Sequence, residues 1–266
     1  MVKTVLLGAS AVLLSAPALF GQDRNDRWLR ECEDGSSRYE RHCELREYTV
    51  NPRSGALRVD AGPNGSIRVT AGQGAGIRVI ARVQAQARSV GEAREIALEV
   101  EVVRADGDIR SSGPRLSGRG RSWSVSYDIT APANTSLRLY STNGGLTVEG
   151  IGGELDLRTT NGGIRLGSVS GPVDAEATNG GVSATLEGRT AANPIELQTT
   201  NGGIQLTVPE GFSAQLEAST TNGGIDVDFP ITVRGRIGRT ISSRLGDGGP
   251  LVRLRTTNGS ISIRRP

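Results

Sequence analysis

From residue 136 to the C-terminus, apolar and polar positions alternate around a recurring Thr-Asn-Gly corner. The corner asparagines are Asn143, Asn161, Asn179, Asn201, Asn222 and Asn258, spaced by 18, 18, 22, 21 and 36 residues. Six residues before them stand Leu137, Leu155, Val173, Ile195, Leu216 and Val252. Four before stand Leu139, Leu157, Ala175, Leu197, Ala218 and Leu254. Three after come Leu146, Ile164, Val182, Ile204, Ile225 and Ile261, and five after come Val148, Leu166, Ala184, Leu206, Val227 and Ile263. Four apolar columns separated by polar positions are the period-two signature of strands with one buried face. Each unit therefore predicts strand, corner, strand.

Two architectures satisfy this pattern. In an antiparallel meander or sandwich, Asn-Gly is the centre of a hairpin turn. In a right-handed β-solenoid of about 18-residue coils, the asparagines stack into a ladder and the apolar columns run along the core. The solenoid is preferred because it explains why the same Thr-Asn-Gly corner returns in phase. The corner glycines are expected to supply positive φ. Upstream, residues 51–135 read as a more varied β-rich part. Leu57-Arg58-Val59, Ile67-Arg68-Val69 and Ile77 to Ala81 predict strands, Asn64-Gly65-Ser66 a degenerate corner, Val90 to Leu98 a helix, Gly107 to Gly120 a loop, and Ser122 to Ile129 a further strand.

The N-terminus changes the address. Lys3 followed by an apolar stretch from Val5 to Phe20, with small-x-small at Ala16-Pro17-Ala18, reads as a secretory signal over residues 1–21. The mature protein is then expected in the periplasm, at the cell surface or secreted. Residues 22–50 are dense in charge and hold both cysteines, Cys32 and Cys43. An even count in an exported chain predicts a disulfide closing this element, which would act as a cap or tethered arm.

Charge narrows the partners. The precursor carries +3 with acids and bases interspersed, and aromatics make up only 3%. Neither a polycation nor a set of stacking platforms is present, which argues against nucleic acid.

The TNGGI corners, the stretch GPNGSIRV and the ending GDGGPLVRLRTTNGSISI resemble the bacterial "putative adhesin" family of β-strand repeat proteins, a domain family of unknown function. The resemblance spans about Leu57 to Ile263. It implies a β-helix-like domain on exported or envelope-associated proteins, and no catalytic residues.

Several groups of side chains could carry chemistry. Five residues before the corner lie Arg138, Asp156, Asp174, Glu196, Glu217 and Arg253. Coils stacked in sequence order would set four carboxylates in a row about 4.8 Å apart. Such a stripe would take Ca²⁺ or a basic partner, or be a solvated face relieved by Arg158 and Arg165. Ca²⁺ wants six to eight oxygens, which this column alone does not supply. Asp226 and Asp228 invite comparison with the paired carboxylates of polysaccharide-cleaving enzymes, but no other acid, His or Lys adjoins them in sequence. His42 is the only histidine, so neither a His metal site nor a Ser-His-Asp triad has support. The hydroxyls and amides of the corners suit a structural ladder or a repetitive surface for glycans. The sequence thus predicts a non-enzymatic envelope or surface protein binding polysaccharide or other envelope components, without a cofactor. The alternatives are a purely structural envelope protein and a β-helical polysaccharide-active enzyme.

Overall fold

The computed structural model describes residues 17–33, 38–51, 55–188, 191–229 and 238–266. Most of the expected signal, residues 1–16, lies outside them. The N-terminal part comprises α1 (Pro17–Glu33), β1 (Glu40–Val50), β2 (Leu57–Asp60), β3 (Ile67–Gly72), β4 (Ile77–Ala87), α2 (Val90–Glu99), β5 (Glu101–Ala105), β6 (Asp108–Ser112) and β7 (Ser122–Pro132). Five strands precede corners: β8 (Leu137–Ser141), β10 (Leu155–Thr159), β12 (Val173–Asn179), β14 (Ile195–Asn201) and β16 (Ala214–Asn222). Five follow them: β9 (Leu146–Glu149), β11 (Ile164–Val169), β13 (Val182–Leu186), β15 (Ile204–Thr207) and β17 (Ile225–Val227). The chain ends with β18 (Thr240–Leu245), β19 (Leu251–Asn258) and β20 (Ile261–Arg264).

These strands form two ten-stranded sheets. The first runs β1-β4-β7-β3-β9-β11-β13-β15-β20-β17 and the second β18-β16-β19-β14-β12-β10-β8-β2-β6-β5. Successive units pair in parallel with the apolar columns aligned: Leu155 lies beside Leu137 and Val173, and Ile164 beside Leu146 and Val182. The fold is all-β and solenoid-like, and the meander gives way to it because each corner carries the chain from one sheet to the other. The apolar columns meet between the sheets, where Leu139, Leu157, Leu197, Leu206 and Leu254 are fully buried.

The order of the coils departs from the order of the sequence. β19 lies between β14 and β16, and β20 lies between β15 and β17. The last unit is thus inserted between the fourth and the fifth. The physical reason is edge occupancy. β18 folds back antiparallel on the outer edge of β16, closing an edge that would otherwise expose unpaired backbone groups. The only edge of β16 then left for β19 faces β14.

The opposite end is closed by the N-terminal part. Ala93, Ile96 and Ala97 of α2 are buried, and β1 pairs antiparallel with β4. Arg46 of β1 donates hydrogen bonds to the carbonyls of Ala97 (2.8 Å) and Val100, satisfying acceptors that a helix C-terminus leaves open. The Cys32–Cys43 disulfide ties α1 to β1 across a Cα separation of 6.3 Å. Part of the expected Gly107 to Gly120 loop is strand, because β6 pairs with both β2 and β5.

Candidate interaction surface

At each corner the asparagine amide donates to the side-chain oxygen of the next asparagine along the stack. The bonds run from Asn143 to Asn64 (3.1 Å), Asn161 to Asn143 (2.7 Å), Asn179 to Asn161 (2.8 Å) and Asn201 to Asn179 (2.8 Å). They continue from Asn258 to Asn201 (2.7 Å) and from Asn222 to Asn258 (2.8 Å). The degenerate corner at Asn64 thus begins the ladder, and the inserted last coil places Asn258 ahead of Asn222. A ladder of this kind satisfies one donor and one acceptor per rung and pins the register of the strands.

The hydroxyl two residues before each asparagine points inward. Ser141, Thr159, Thr199, Thr256 and Thr220 are buried, and each donates to a glycine carbonyl of the neighbouring coil: Gly65 (2.6 Å), Gly144 (2.9 Å), Gly180 (2.7 Å), Gly202 (2.8 Å) and Gly259 (2.8 Å). Period two already sets this position on the inward face with the apolar columns; its bond to a glycine carbonyl is what the sequence does not show. Position 177 of the third coil is the exception, an alanine without a hydroxyl.

The first glycine of each corner also has a different role from the one expected. None of these glycines adopts positive φ. Close approach of the coils excludes a side chain instead: a Cβ on Gly162 would meet Gly144 O at 2.1 Å, and one on Gly180 would meet Gly162 O at 2.0 Å.

The outward acidic column is altered by the coil order. Asp156, Asp174 and Glu196 do lie on consecutive strands. Glu217, however, is separated from Glu196 by Arg253, which stands 3.8 Å from Glu196 and 3.1 Å from Glu217. Arg158 forks onto Asp174 at 2.9 and 2.5 Å and lies within ion-pair distance of Asp156 (3.4 Å) and Glu176 (3.5 Å). The hydrogen bonds to Asp174 hold the Arg158 guanidinium above its usual pKa. The Asp156 Oδ1 atom is buried, and its contact with Arg158 lacks hydrogen-bond geometry. Guanidinium groups thus occupy the positions a cation would take among these carboxylates. Among the described residues, no group of three or more His, Cys, Asp or Glu side chains is arranged to hold a metal ion. Asp226 and Asp228 are exposed beside the inserted strand, and His42 lies 3.6 Å from Glu44.

Residues 97–264 match the model of the Toastrack DUF4097 family. The chain belongs to the Toastrack family. Solved structures with a similar chain path include a "putative cell adhesion protein" from Clostridium sporogenes, 14% identical, with a TM-score of 0.46 over 85% of this chain and 100% of that one. A "putative adhesin" from Bacteroides fragilis is 12% identical (TM-score 0.32, 85% and 97% covered). A "putative lipid binding protein" from Parabacteroides distasonis is 9% identical (TM-score 0.30, 84% and 96% covered). No curated protein matches the chain.

On this Toastrack scaffold the outer faces carry open hollows among the described residues. One, about 600 Å³, follows the first sheet beside the corners, where Gly145, Gly163, Gly181 and Gly203 leave backbone exposed between Arg165 and Gln205. A second, about 330 Å³, lies on the second sheet by Asp156, Asp174, Glu196 and Arg253, below Pro172 and Pro194. A third, about 370 Å³, adjoins the exposed Thr142, Thr160 and Thr178 and is bordered by Tyr140, Arg158 and Glu176. No helix among the described residues is long and apolar enough to cross a membrane.

Proposed function

We propose that this Toastrack protein is an exported, non-enzymatic component of the cell envelope or surface that binds polysaccharide through the outer faces of its coils. One observation carries this reading: hydroxyl, amide and charged side chains recur at strand spacing along open, shallow hollows. An extended polymer with repeating hydroxyls meets a matching donor or acceptor at each rung of such a surface. The disulfide suits an oxidising compartment, in keeping with the signal read at residues 1–21. The repetition extends to a right-handed winding of about 18-residue coils.

The acidic side chains support binding over cleavage. Asp156, Asp174, Glu196 and Glu217 each face an arginine, so none of these four is set apart as a proton donor, and Asp226 and Asp228 are exposed at an edge strand outside these hollows. Binding is accordingly independent of Ca²⁺. The reading of a purely structural envelope protein draws on the ladder, whose amides satisfy one another without a ligand. A glycan-array screen of the purified protein, run with and without Ca²⁺ beside an assay for reducing or unsaturated ends, separates these. Binding without product release is expected. Product release would overturn the non-enzymatic reading, and a blank array would favour the structural one.

A further inference from the structure

The geometry points to Tyr140 as the platform of a saccharide subsite that takes a neutral pyranose ring of a polysaccharide. This inference rests on the polysaccharide reading above and adds a place and a ligand class to it.

Among the described residues, Tyr140 is the only aromatic side chain on any strand of the second sheet. It occupies an outward position and is partly exposed, flanked in its row by Asp60 on β2 and Arg158 on β10. The equivalent outward positions of the other coils are Arg158, Glu176, Gln198, Arg255 and Ser219. An aromatic ring in such a row gains nothing from the core, which lies on the opposite face.

The ring is held in place. Its hydroxyl donates to Asp156 Oδ2 at 3.3 Å, and the Arg58 guanidinium stands 5.4 Å from its centroid. It borders the 370 Å³ hollow together with Asp60, Arg158, Glu176 and Thr142. That volume lies at the lower end of the range of small-ligand sites. Sugars have an apolar C–H face and a rim of hydroxyls. A tyrosine ring matches the face, and carboxylates, a guanidinium and threonine hydroxyls match the rim.

Charge selects the class. Asp60, Asp156 and Glu176 outnumber the two arginines at the ring, and Arg158 is already engaged by Asp174 at 2.5 Å. An added carboxylate or sulfate would meet these three carboxylates, with only Arg58, which lies over the ring, as a cation not already drawn to an acid. The 330 Å³ hollow by Asp156 and Asp174 lies on the same face, so a chain can run onward from the ring.

Affinity electrophoresis of the purified protein in gels containing β-glucan, galactomannan, arabinoxylan or alginate tests the proposal. Retardation is expected in at least one neutral polymer and not in alginate. Tyr140→Ala should raise the apparent Kd for that polymer at least tenfold with an unchanged melting temperature, because the ring is outside the core. Tyr140→Phe should keep most of the affinity. Arg94→Ala, exposed on α2 and outside these hollows, should change nothing. Binding undiminished in Tyr140→Ala would overturn the subsite and leave the polysaccharide reading standing. Retardation by alginate alone would overturn the neutral class. Absence of retardation in all four gels would overturn the subsite, and a blank glycan array besides would remove the polysaccharide reading as well.

Discussion

The tightest steric demand in the coils is at the first corner glycine, and Gly180→Ala measures it. A Cβ there would sit 2.0 Å from Gly162 O, 2.5 Å from Gly162 C and 3.0 Å from Gly163 N. All three are backbone atoms of the neighbouring coil, so no side chain can swing away. A carbon meets a carbonyl oxygen without repulsion at about 3.3 Å, so the coils must part by about 1.3 Å at a rung spacing of about 4.8 Å. That separation strains the bonds from Asn179 N to Thr160 O (2.7 Å), from the Asn179 amide to Asn161 (2.8 Å) and from Ile164 N to Gly181 O (3.0 Å). Each such bond is worth a net of about 1 kcal/mol, which gives a loss of about 3 kcal/mol. For a chain of this size that lowers the melting temperature by about 6 to 12 °C. The adjacent glycines are internal controls. A Cβ on Gly181 would meet Gly203 O at 3.2 Å, and one on Gly224 would meet nothing within 4 Å. Gly181→Ala should cost under about 1 kcal/mol, and Gly224→Ala should be neutral or slightly stabilising through the unfolded chain. Thermal melts of the three variants by circular dichroism give the order directly. Equal melting temperatures for Gly180→Ala and Gly224→Ala would refute the close-approach argument.

Three further outcomes are expected. Leu254→Ala empties a fully buried position in the inserted coil and should cost about 2 to 5 kcal/mol; limited proteolysis should then cut near residues 214–227 earlier than near 155–169, since β16 and β17 depend on β19 and β20. Replacing Cys32 and Cys43 together with serine should cost at most about 2 to 3 kcal/mol, read as a lower melting temperature that reductant no longer changes. The hydrogen bond from Arg78 holds the Glu47 carboxyl below its ordinary pKa, so its contribution is present above the ordinary carboxylate range and is lost as pH falls through the lowered value. The melting-temperature difference between wild type and Glu47→Gln should therefore be present at neutral pH and shrink in acid, and a difference that grows in acid would contradict the assignment.

The apolar columns were legible in the sequence because a strand buried on one face writes its pattern with period two. Leu137, Leu155, Val173 and Ile195 stand in adjacent strands as that pattern predicts. The asparagine ladder was legible for the same reason, since identical residues in phase stack. The order of the last two coils was not. β16 and β19 carry nearly the same edge chemistry, and what decides their order is the antiparallel return of β18, a long-range pairing that the repeat pattern does not encode. That order also determines the outward surface: Arg253 enters between Glu196 and Glu217 and breaks an expected run of four carboxylates after the third. The helix α1 was missed because its polar sequence, rich in Arg and Asp, shows little apolar periodicity. It is held instead by the disulfide and by Arg82, which donates to the buried Asn25 side chain at 2.9 and 2.7 Å.

The central claim is that the outer face of the coils, and not a catalytic cleft, is where this protein meets its ligand. Hydroxyl-radical footprinting of the protein, with and without the polysaccharide that retards it, tests this most directly because oxidation reports the solvent access of each side chain. The account predicts that oxidation of Tyr140 falls on binding while that of Trp28 and Phe229, which lie away from the hollow, stays unchanged. Unchanged oxidation of Tyr140, with protection gathered around Asp226 and Phe229, would contradict it.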